Sequence, residues 1–583
     1  MDQLKRHYQK LITNIKFRLS TLDKLIPVSL LSILIGLVTG FVIIAFRWII
    51  EESQMLIIND ENPEDYESLP VWARFLLPVF GGLIIGILFQ RVSQASRSIG
   101  VVHVMHNLSL NQGKLPFKNA AMQFVGASIS IISGHSVGRE GPAIHLGAAS
   151  GSLLGQFLLM PNNVMRTFVA CGVAAAIAAS FNTPLAGVIF AMEVILMEYT
   201  FISFIPVIIA AVVATALMRA VYGDEPIFFI PSFDLGSLVD LPYVFLMALA
   251  IGVLATIFIQ SLRFFSKQLT HIPIWQRTTI AGALVGLIAV FVPQVMGIGY
   301  DTISGAAIGE FTFWLLIIIT FAKILATTLG LGLGLPGGLI GPTLVISATF
   351  GAASGALLAS GETSLGFYAL IGMAAMMSAT LNAPLAALTA ILELTANPNI
   401  ILPGMLAIVV ANLTTTQLFA QNSIYHMQLK DRGITYDDNP VTQYLRRLSV
   451  NNLLKGPAFF LSQHILAKEV SDLLNKHDEA WIIVANPNNR NYYLMELKSL
   501  ASFSQDIDPE KHIDILSLPI NKVIAAPISL RASLHDALGV IREEKVDALF
   551  AVNETRSLPS YIHGIISRSE IEKKFLEQMK NNN

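Results

Sequence analysis

The chain repeats itself at an offset of 200 residues without a gap, and the positions that agree are those that shape a backbone. Gly134, Gly138, Gly141 and Pro142 return as Gly334, Gly338, Gly341 and Pro342. Gly151, Gly155 and Gly172 return as Gly351, Gly355 and Gly372. Asn182, Pro184, Leu185, Ala186 and Glu193 return as Asn382, Pro384, Leu385, Ala386 and Glu393. Two homologous halves with apolar segments broken at corresponding points are the pattern of transporters whose site lies at the repeat interface, near the membrane midplane. The repeat predicts halves at about 27–222 and 242–420, and leaves open whether they run parallel or inverted.

The chain must live in a membrane. Of its 583 residues 53% are hydrophobic and 13% are charged, about half the usual globular ~25% charged. Apolar segments are expected at about Pro27–Ile50 and Phe75–Gln90. Others follow near 121–132, 143–160, 164–180, 184–197, 202–222, 242–264, 278–296, 311–330, 342–359, 365–380, 384–396 and 401–420. Several fall short of the ~20 residues of a straight span. Broken helices at membrane depth are tolerated only where protein or a cavity surrounds them.

The first half's break reads Ser133-Gly134-His135-Ser136-Val137-Gly138-Arg139-Glu140-Gly141-Pro142. Its glycines allow open backbone and close approach to a ligand, and Pro142 suits the first helical position. A helix start carries unpaired N–H groups and a positive dipole end, which favour an anion. Glu140 sits at that mouth, where a fixed carboxylate competes with a dissolved anion for one seat. It reads as a gate. The second half has Ile340 in place of Glu140 and Leu339 in place of Arg139. Two helix starts with one removable negative charge describe a gated anion site.

Lys5, Arg6, Lys10, Lys16, Arg18 and Lys24 precede the first span, so residues 1–26 are expected on the cytoplasmic side by the positive-inside bias. No small-residue cleavage site follows them, which argues for an uncleaved first helix. The next loop is acidic from Glu51 to Glu67, as an external loop can be. With a net charge of −2, nothing suggests a nucleic-acid partner. The single cysteine, Cys171, lies in an apolar run and excludes disulfides.

From about Lys430 the composition turns soluble. Residues 430–583 show two similar units. Each has a helix (467–476; 533–544), a short strand (481–485; 548–552), a second strand (492–495; 562–566) and a polar helix. A regulatory pair of units is expected there.

Gly138-Arg139-Glu140-Gly141-Pro142, Gly337-Gly338-Leu339-Ile340-Gly341-Pro342 and Asn182-Thr183-Pro184-Leu185-Ala186-Gly187 together resemble the CLC chloride channel and transporter family over residues 27–429. The tail, with Gly564-Ile565-Ile566-Ser567-Arg568-Ser569-Glu570, resembles a CBS-domain pair. The resemblance implies an all-α polytopic domain of two inverted-topology repeats, followed by a cytoplasmic α/β domain. It implies a homodimer in the bilayer with one chloride pathway per subunit, and protons as a second possible cargo. Glu140 matches the family's gating glutamate. Backbone around Gly138, Arg139 and Gly141, and around Gly338, Leu339 and Ile340, would cradle the anion. Tyr425 matches the inner-gate tyrosine, whose hydroxyl donates to the anion. The resemblance requires no cofactor, but admits an adenine nucleotide at the CBS pair. A bacterial inner membrane, with both termini cytoplasmic, is the expected location.

Three departures bear on function. The inner-gate serine signature is not intact; its counterpart is Ser96-Arg97-Ser98-Ile99-Gly100, which makes Ser98 the candidate. The phenylalanine of the second-half motif is Ile340. Where the exchanger branch has two consecutive glutamates, this chain has Glu193-Val194. The apolar second position favours channel-like chloride conduction. Chloride/proton exchange by a non-standard internal route is the alternative, with Glu193 as a possible relay. An intramembrane enzyme lacks support: no Gly-x-Ser-x-Gly elbow and no His-Glu-x-x-His motif lies in the spans. His135 and His145, ten residues apart across a helix start, have poor spacing for a metal, and no metal site is expected.

Overall fold

In the computed structural model the described residues are 25–58, 62–199, 201–224, 240–358, 364–395, 397–434, 440–477, 480–486, 491–504, 510–552 and 562–581. The basic segment before Leu25 lies outside them. The chain divides into two compact units. One holds Leu25–Gln156 and Met165–Tyr436; the other holds Asp437–Asn583 with the connection Phe157–Val164.

The first unit is helical. Its first half runs α1 (Leu25–Ile58), α2 (Val71–Gln90), α3 (Gly100–Leu110), α4 (Phe117–Ile132), α5 (Glu140–Phe157), α6 (Asn162–Phe181), α7 (Pro184–Phe190) and α8 (Phe201–Tyr222). The second runs α9 (Leu241–Lys267), α10 (Ile274–Phe291), α11 (Tyr300–Ile308), α12 (Phe313–Gly332), α13 (Ile340–Leu358), α14 (Leu365–Leu381), α15 (Pro384–Thr395) and α16 (Ile401–Leu413), with α17 (Ile424–Asp431) beyond. Among the described residues nine helices are long and apolar enough to cross a membrane. The 200-residue register holds at the helix starts of α3 and α11, α5 and α13, α7 and α15, and α8 and α16.

The first helix departs from expectation. It continues through Glu51 and Glu52 to Ile58, residues read above as loop. Arg47 Nε lies 2.5 Å from Glu51 Oε1, an i,i+4 pair that keeps the polar turn helical.

The helix α2 and its repeat mate α10 pack together and show how the halves are oriented. Gly82 meets Thr278 and Gly86 meets Trp275, while Gly282 meets Pro78 and Gly286 meets Phe75. The numbering rises on one helix as it falls on the other, so equivalent spans run antiparallel. The halves are inverted. Glycine at these contacts removes the side chain that would hold the backbones apart, as membrane helix pairs without a hydrophobic driving force require.

A second reciprocal contact joins α7 to α15. The Glu193 carboxylate accepts from the backbone N–H groups of Leu385 (3.2 Å) and Ala386 (2.7 Å) at the start of α15. Glu393 accepts from Leu185 (2.9 Å) and Ala186 (2.7 Å) at the start of α7. Each half caps the other's helix, satisfying N–H groups that have no intrahelical acceptor. Replacing either glutamate by alanine should lower stability by about 1–2 kcal/mol, the usual loss for an N-cap, read as a lower melting temperature in detergent. The two losses should be similar. A drop at Glu393 with none at Glu193 would show that the clasp is not symmetric.

The second unit is built on a closed ring of strands in the order β1-β3-β4-β6-β7-β8. Here β1 is Ala458–Leu461, β2 His464–Leu466, β3 Trp481–Ala485, β4 Tyr492–Glu496, β5 His512–Asp514, β6 Val523–Ser529, β7 Ala548–Val552 and β8 Ile562–Ser567. β1 pairs parallel with β3, and β6 parallel with β7. β4 and β8 follow antiparallel in each unit. The two units read from sequence are therefore the halves of one ring. Its strand β6 was not legible because Ala525-Ala526-Pro527 lacks β-branched residues and contains a proline.

Candidate functional site: a buried carboxylate between two cavities

The break before α5 and its counterpart before α13 meet at the centre of the helical unit. Gly138 and Gly338 exchange backbone hydrogen bonds, each N–H donating to the other's carbonyl at 2.7 Å. A β-carbon on Gly141 would stand 2.7 Å from the Gly338 α-carbon, so this crossing admits no side chain. The pairing brings the starts of α5 and α13 together. It also corrects the expected donor set: the N–H groups of Gly138 and Gly338 are committed to each other and cannot face an anion. Gly341, the second residue of α13, instead turns its N–H to the Glu140 carboxylate.

Glu140 is fully buried at this junction. The helix α5 begins at Glu140, two residues before Pro142; a proline within the first turn still displaces no helical hydrogen bond. The Glu140 side chain turns toward the other half. Its Oε2 accepts from the Gly341 N–H at 3.0 Å, and its Oε1 accepts from the Tyr300 hydroxyl at the start of α11. The carboxylate is therefore seated at the start of α13, held by one amide and one hydroxyl. Charge-assisted bonds of this kind are roughly twice as strong as neutral ones.

A cavity of about 500 Å³ opens on one side, lined by Arg47, Glu51, Glu64, Arg139, Tyr300 and Asp301 among others. Arg139 turns into it. Its Nη1 lies 3.4 Å from Glu51, and its guanidinium stands 5.2 Å from the Tyr300 ring centroid. The Arg139 side chain thus belongs to the entrance, and only its backbone lies beside the cradle. Glu64 accepts from the Tyr300 N–H at 2.7 Å, which fixes the start of α11. Burial, and then the neighbouring Asp301 charge, push Glu64 up to about 7; burial likewise pushes Asp301 up to about 7.

A second cavity, about 470 Å³, opens on the other side of the junction. Its lining includes Ser98, Gly141, Gly338, Leu339 and Tyr425, together with Arg97, Arg277 and Arg432, and no acidic residue. The Tyr425 hydroxyl is buried without a hydrogen-bond partner, and so is Nε of Arg277. Buried donors left unpaired in a polar, roomy space call for a ligand that accepts hydrogen bonds. Tyr425, Ser98, Leu339 and the backbone of Gly141 therefore share one chamber. Ile340 is different: its side chain lines an apolar pocket with Phe181, Phe190 and Leu344, so only its backbone lies near the junction. Glu193 does not reach this chamber's lining, and both its oxygens are bonded by the start of α15.

Sequence reasoning missed Tyr300, Arg277 and Arg432. The repeat held the signal for Tyr300, since the 200-residue register sets Ile298-Gly299-Tyr300 against Ser98-Ile99-Gly100. Replacing Tyr300 by phenylalanine removes one of two donors to the Glu140 carboxylate and leaves the ring in place. The loss of a hydrogen bond to a charged acceptor is worth about 1.5–3 kcal/mol. The carboxylate should leave its seat more readily, and chloride flux is expected to rise roughly tenfold or more at neutral pH, since 1.4 kcal/mol is a factor of ten. Unchanged flux would mean that this bond does not hold the gate shut.

The comparisons with known proteins agree on one family. A putative chloride channel protein ClcB-like of Ralstonia nicotianae is 31% identical over 395 residues, covering 65% of this chain and 92% of that protein. The H(+)/Cl(-) exchange transporter ClcA of Vibrio parahaemolyticus is 27% identical over 440 residues, covering 71% of this chain and 93% of that one. The fold is that of a solved slow cyanobacterial Cl-/H+ antiporter, with a TM-score of 0.63 and 23% identity, covering 71% of this chain and 99% of that chain. The voltage gated chloride channel family profile matches residues 81–416, more than half of the chain and all of the junction around Glu140, and the protein is thus a multi-pass membrane protein of the CLC family.

Proposed function

We propose that the protein exchanges chloride for protons, through one pathway per subunit whose gate is Glu140. The observation that carries this reading is the Glu140 carboxylate seated in the start of α13, between two cavities. An anion can take that seat only when the carboxylate leaves it. Leaving as a bare charge, at a place shielded from water, costs several kcal/mol; leaving as a neutral acid does not. Anion entry and proton uptake at Glu140 are therefore linked events.

The sequence favoured plain conduction because Val194 is apolar. The relatives support exchange at least as well, since the Vibrio protein is named an exchange transporter over nearly its whole length. By the positive-inside bias, the Arg97, Arg277 and Arg432 cavity is proposed to face the cytoplasm of a bacterial inner membrane. A homodimer belongs to the same proposal, and the mass of the purified protein in detergent tests it. For transport, the test is a chloride gradient across liposomes that contain a pH dye. Exchange drives protons uphill, whereas chloride that dissipates without proton movement establishes a channel.

For residues 430–583 a second proposal is binding of an adenine nucleotide. A cavity of about 490 Å³ is lined by Trp481, which offers a ring to the base, by Asp547, which offers acceptors to ribose hydroxyls, and by Lys455 and Arg568, which can turn to phosphates from their present partners Glu570 and Glu572. Calorimetry on the full-length protein should show heat with ATP or AMP. D547N should weaken binding about tenfold or more, the value of a hydrogen bond to a charged group. No heat from the wild-type protein would remove the proposal.

A further inference from the structure

Exchange needs a proton path on the Tyr425 side of the gate, and the position read from sequence as the possible relay does not supply one. Glu193 caps a helix, and Val194 has no proton to give. The same half of the molecule holds a different set of titratable groups. His103 on α3 and His145 on α5 are buried, His145 completely and His103 with 6% of its surface exposed. Their rings meet edge to face, and His103 Nδ1 lies 3.1 Å from His145 Nε2. The other nitrogen of His145, Nδ1, is buried with no hydrogen-bond partner.

His145 follows Glu140 by five residues on one helix, about 7.5 Å along the axis at 1.5 Å per residue. The start of α3 lines the second cavity at Gly100, Val101 and Val102, and His103 is the next residue. His106, one turn on, is half-buried. The charged and titratable neighbours of His103 are His106 and Arg432, and that of His145 is His103. No carboxylate faces the pair among these neighbours, so a proton that arrives is not held there by a counter-charge.

We propose that the His103–His145 pair is the internal proton-loading site for Glu140, which stands in for the carboxylate that Val194 replaces. This rests on the exchange reading above. A proton taken at His103 Nε2 lets the Nδ1 proton pass along the 3.1 Å hydrogen bond to His145 Nε2. His145 then gives up the proton on Nδ1, and the Glu140 carboxylate takes it to become the neutral acid. One proton enters and one leaves, both rings end neutral with their protons on Nε2, and each ring must turn over to restore the starting tautomers before the next proton. Imidazole suits the task because each ring has one nitrogen to receive a proton and one to give.

The experiment measures chloride and proton fluxes separately in liposomes for the wild type, H103Q and H145Q. Glutamine keeps hydrogen-bonding capacity and cannot titrate. Both variants should keep part of the chloride flux, because Glu140 can still take its proton from the Arg139 cavity, and proton flux should fall further, so that the chloride-to-proton ratio rises several-fold. Wild-type ratios in both variants would overturn the loading site while leaving exchange standing. A wild-type protein that moves no protons would instead sink the exchange reading, and the loading site with it. Should glutamine at 145 prevent folding, H103Q and H103E decide the matter, since they differ in titration alone. Proton flux lost in the first and regained in the second supports the site; equal flux in both refutes it.

Discussion

Glu140→Gln is expected to uncouple the protein: chloride continues to flow, proton transport falls to the leak of empty liposomes, and the steep pH dependence of chloride flux disappears. Glutamine copies the shape of the protonated gate. Its amide can still accept from Gly341 or Tyr300, but it has no charge for the start of α13 to hold. The seat therefore becomes available to chloride at every pH. The sign follows from the competition: a proton on the carboxylate removes the charge that holds the seat, so chloride flux is expected to rise as pH falls. A shallow dependence should survive in the variant. Glu64 and Asp301 line the Arg139 cavity, where burial pushes both up to about 7, so rising pH should add negative charge to that cavity. The double variant E140Q/E64Q should flatten that remainder in part. A single variant whose chloride flux keeps the full wild-type pH profile would show that another group is the gate.

The prediction could be framed from the sequence because the repeat made Glu140 stand out against Ile340. Residues that fix backbone shape are legible in this way, since glycine, proline and helix-capping glutamate have few alternatives at a break. The same register anticipated the Gly138–Gly338 crossing and the Glu193–Glu393 clasp as equivalent positions. It could not say that the equivalents would touch, which depends on the halves being inverted. Helices α3, α11 and α17 escaped notice for a different reason: at 11, 9 and 8 residues they are too short to stand out as spans. Each brings a chemically active side chain to the junction or its surroundings: His103, Tyr300 and Tyr425. Only Tyr425 was found, through a resemblance. Single aromatic or histidine residues on short helices carry no periodic signal, and their role exists only once other elements enclose them. The Arg277 and Arg432 cavity is of the same kind, built from residues far apart in the chain.

The largest structural effect should come from Gly338→Ala, and its comparison is Gly404→Ala. A β-carbon on Gly338 would lie 2.6 Å from the Gly141 nitrogen and 2.9 Å from the Gly138 carbonyl oxygen. Both are backbone atoms, so no flexible side chain can yield. The two breaks must separate, which strains the core by about 1–3 kcal/mol. It also loosens two buried backbone hydrogen bonds, each about 1–3 kcal/mol when its groups are left unsatisfied. Together these amount to roughly 3–9 kcal/mol on the same figures, comparable to the whole stability of many proteins. The variant should fail to assemble or should melt far below the wild type, with no gated chloride flux. Gly404, inside α16, has no neighbouring atom closer than 3.8 Å to the added carbon. There alanine should stabilise by about 0.5–1 kcal/mol through its better helix propensity and leave transport intact. The contrast separates the crossing from glycine content in general, because both residues are buried glycines of the second half. If G338A folds and transports like the wild type, the two helix starts are not held together by this crossing, and the cradle that seats Glu140 must be formed in some other way.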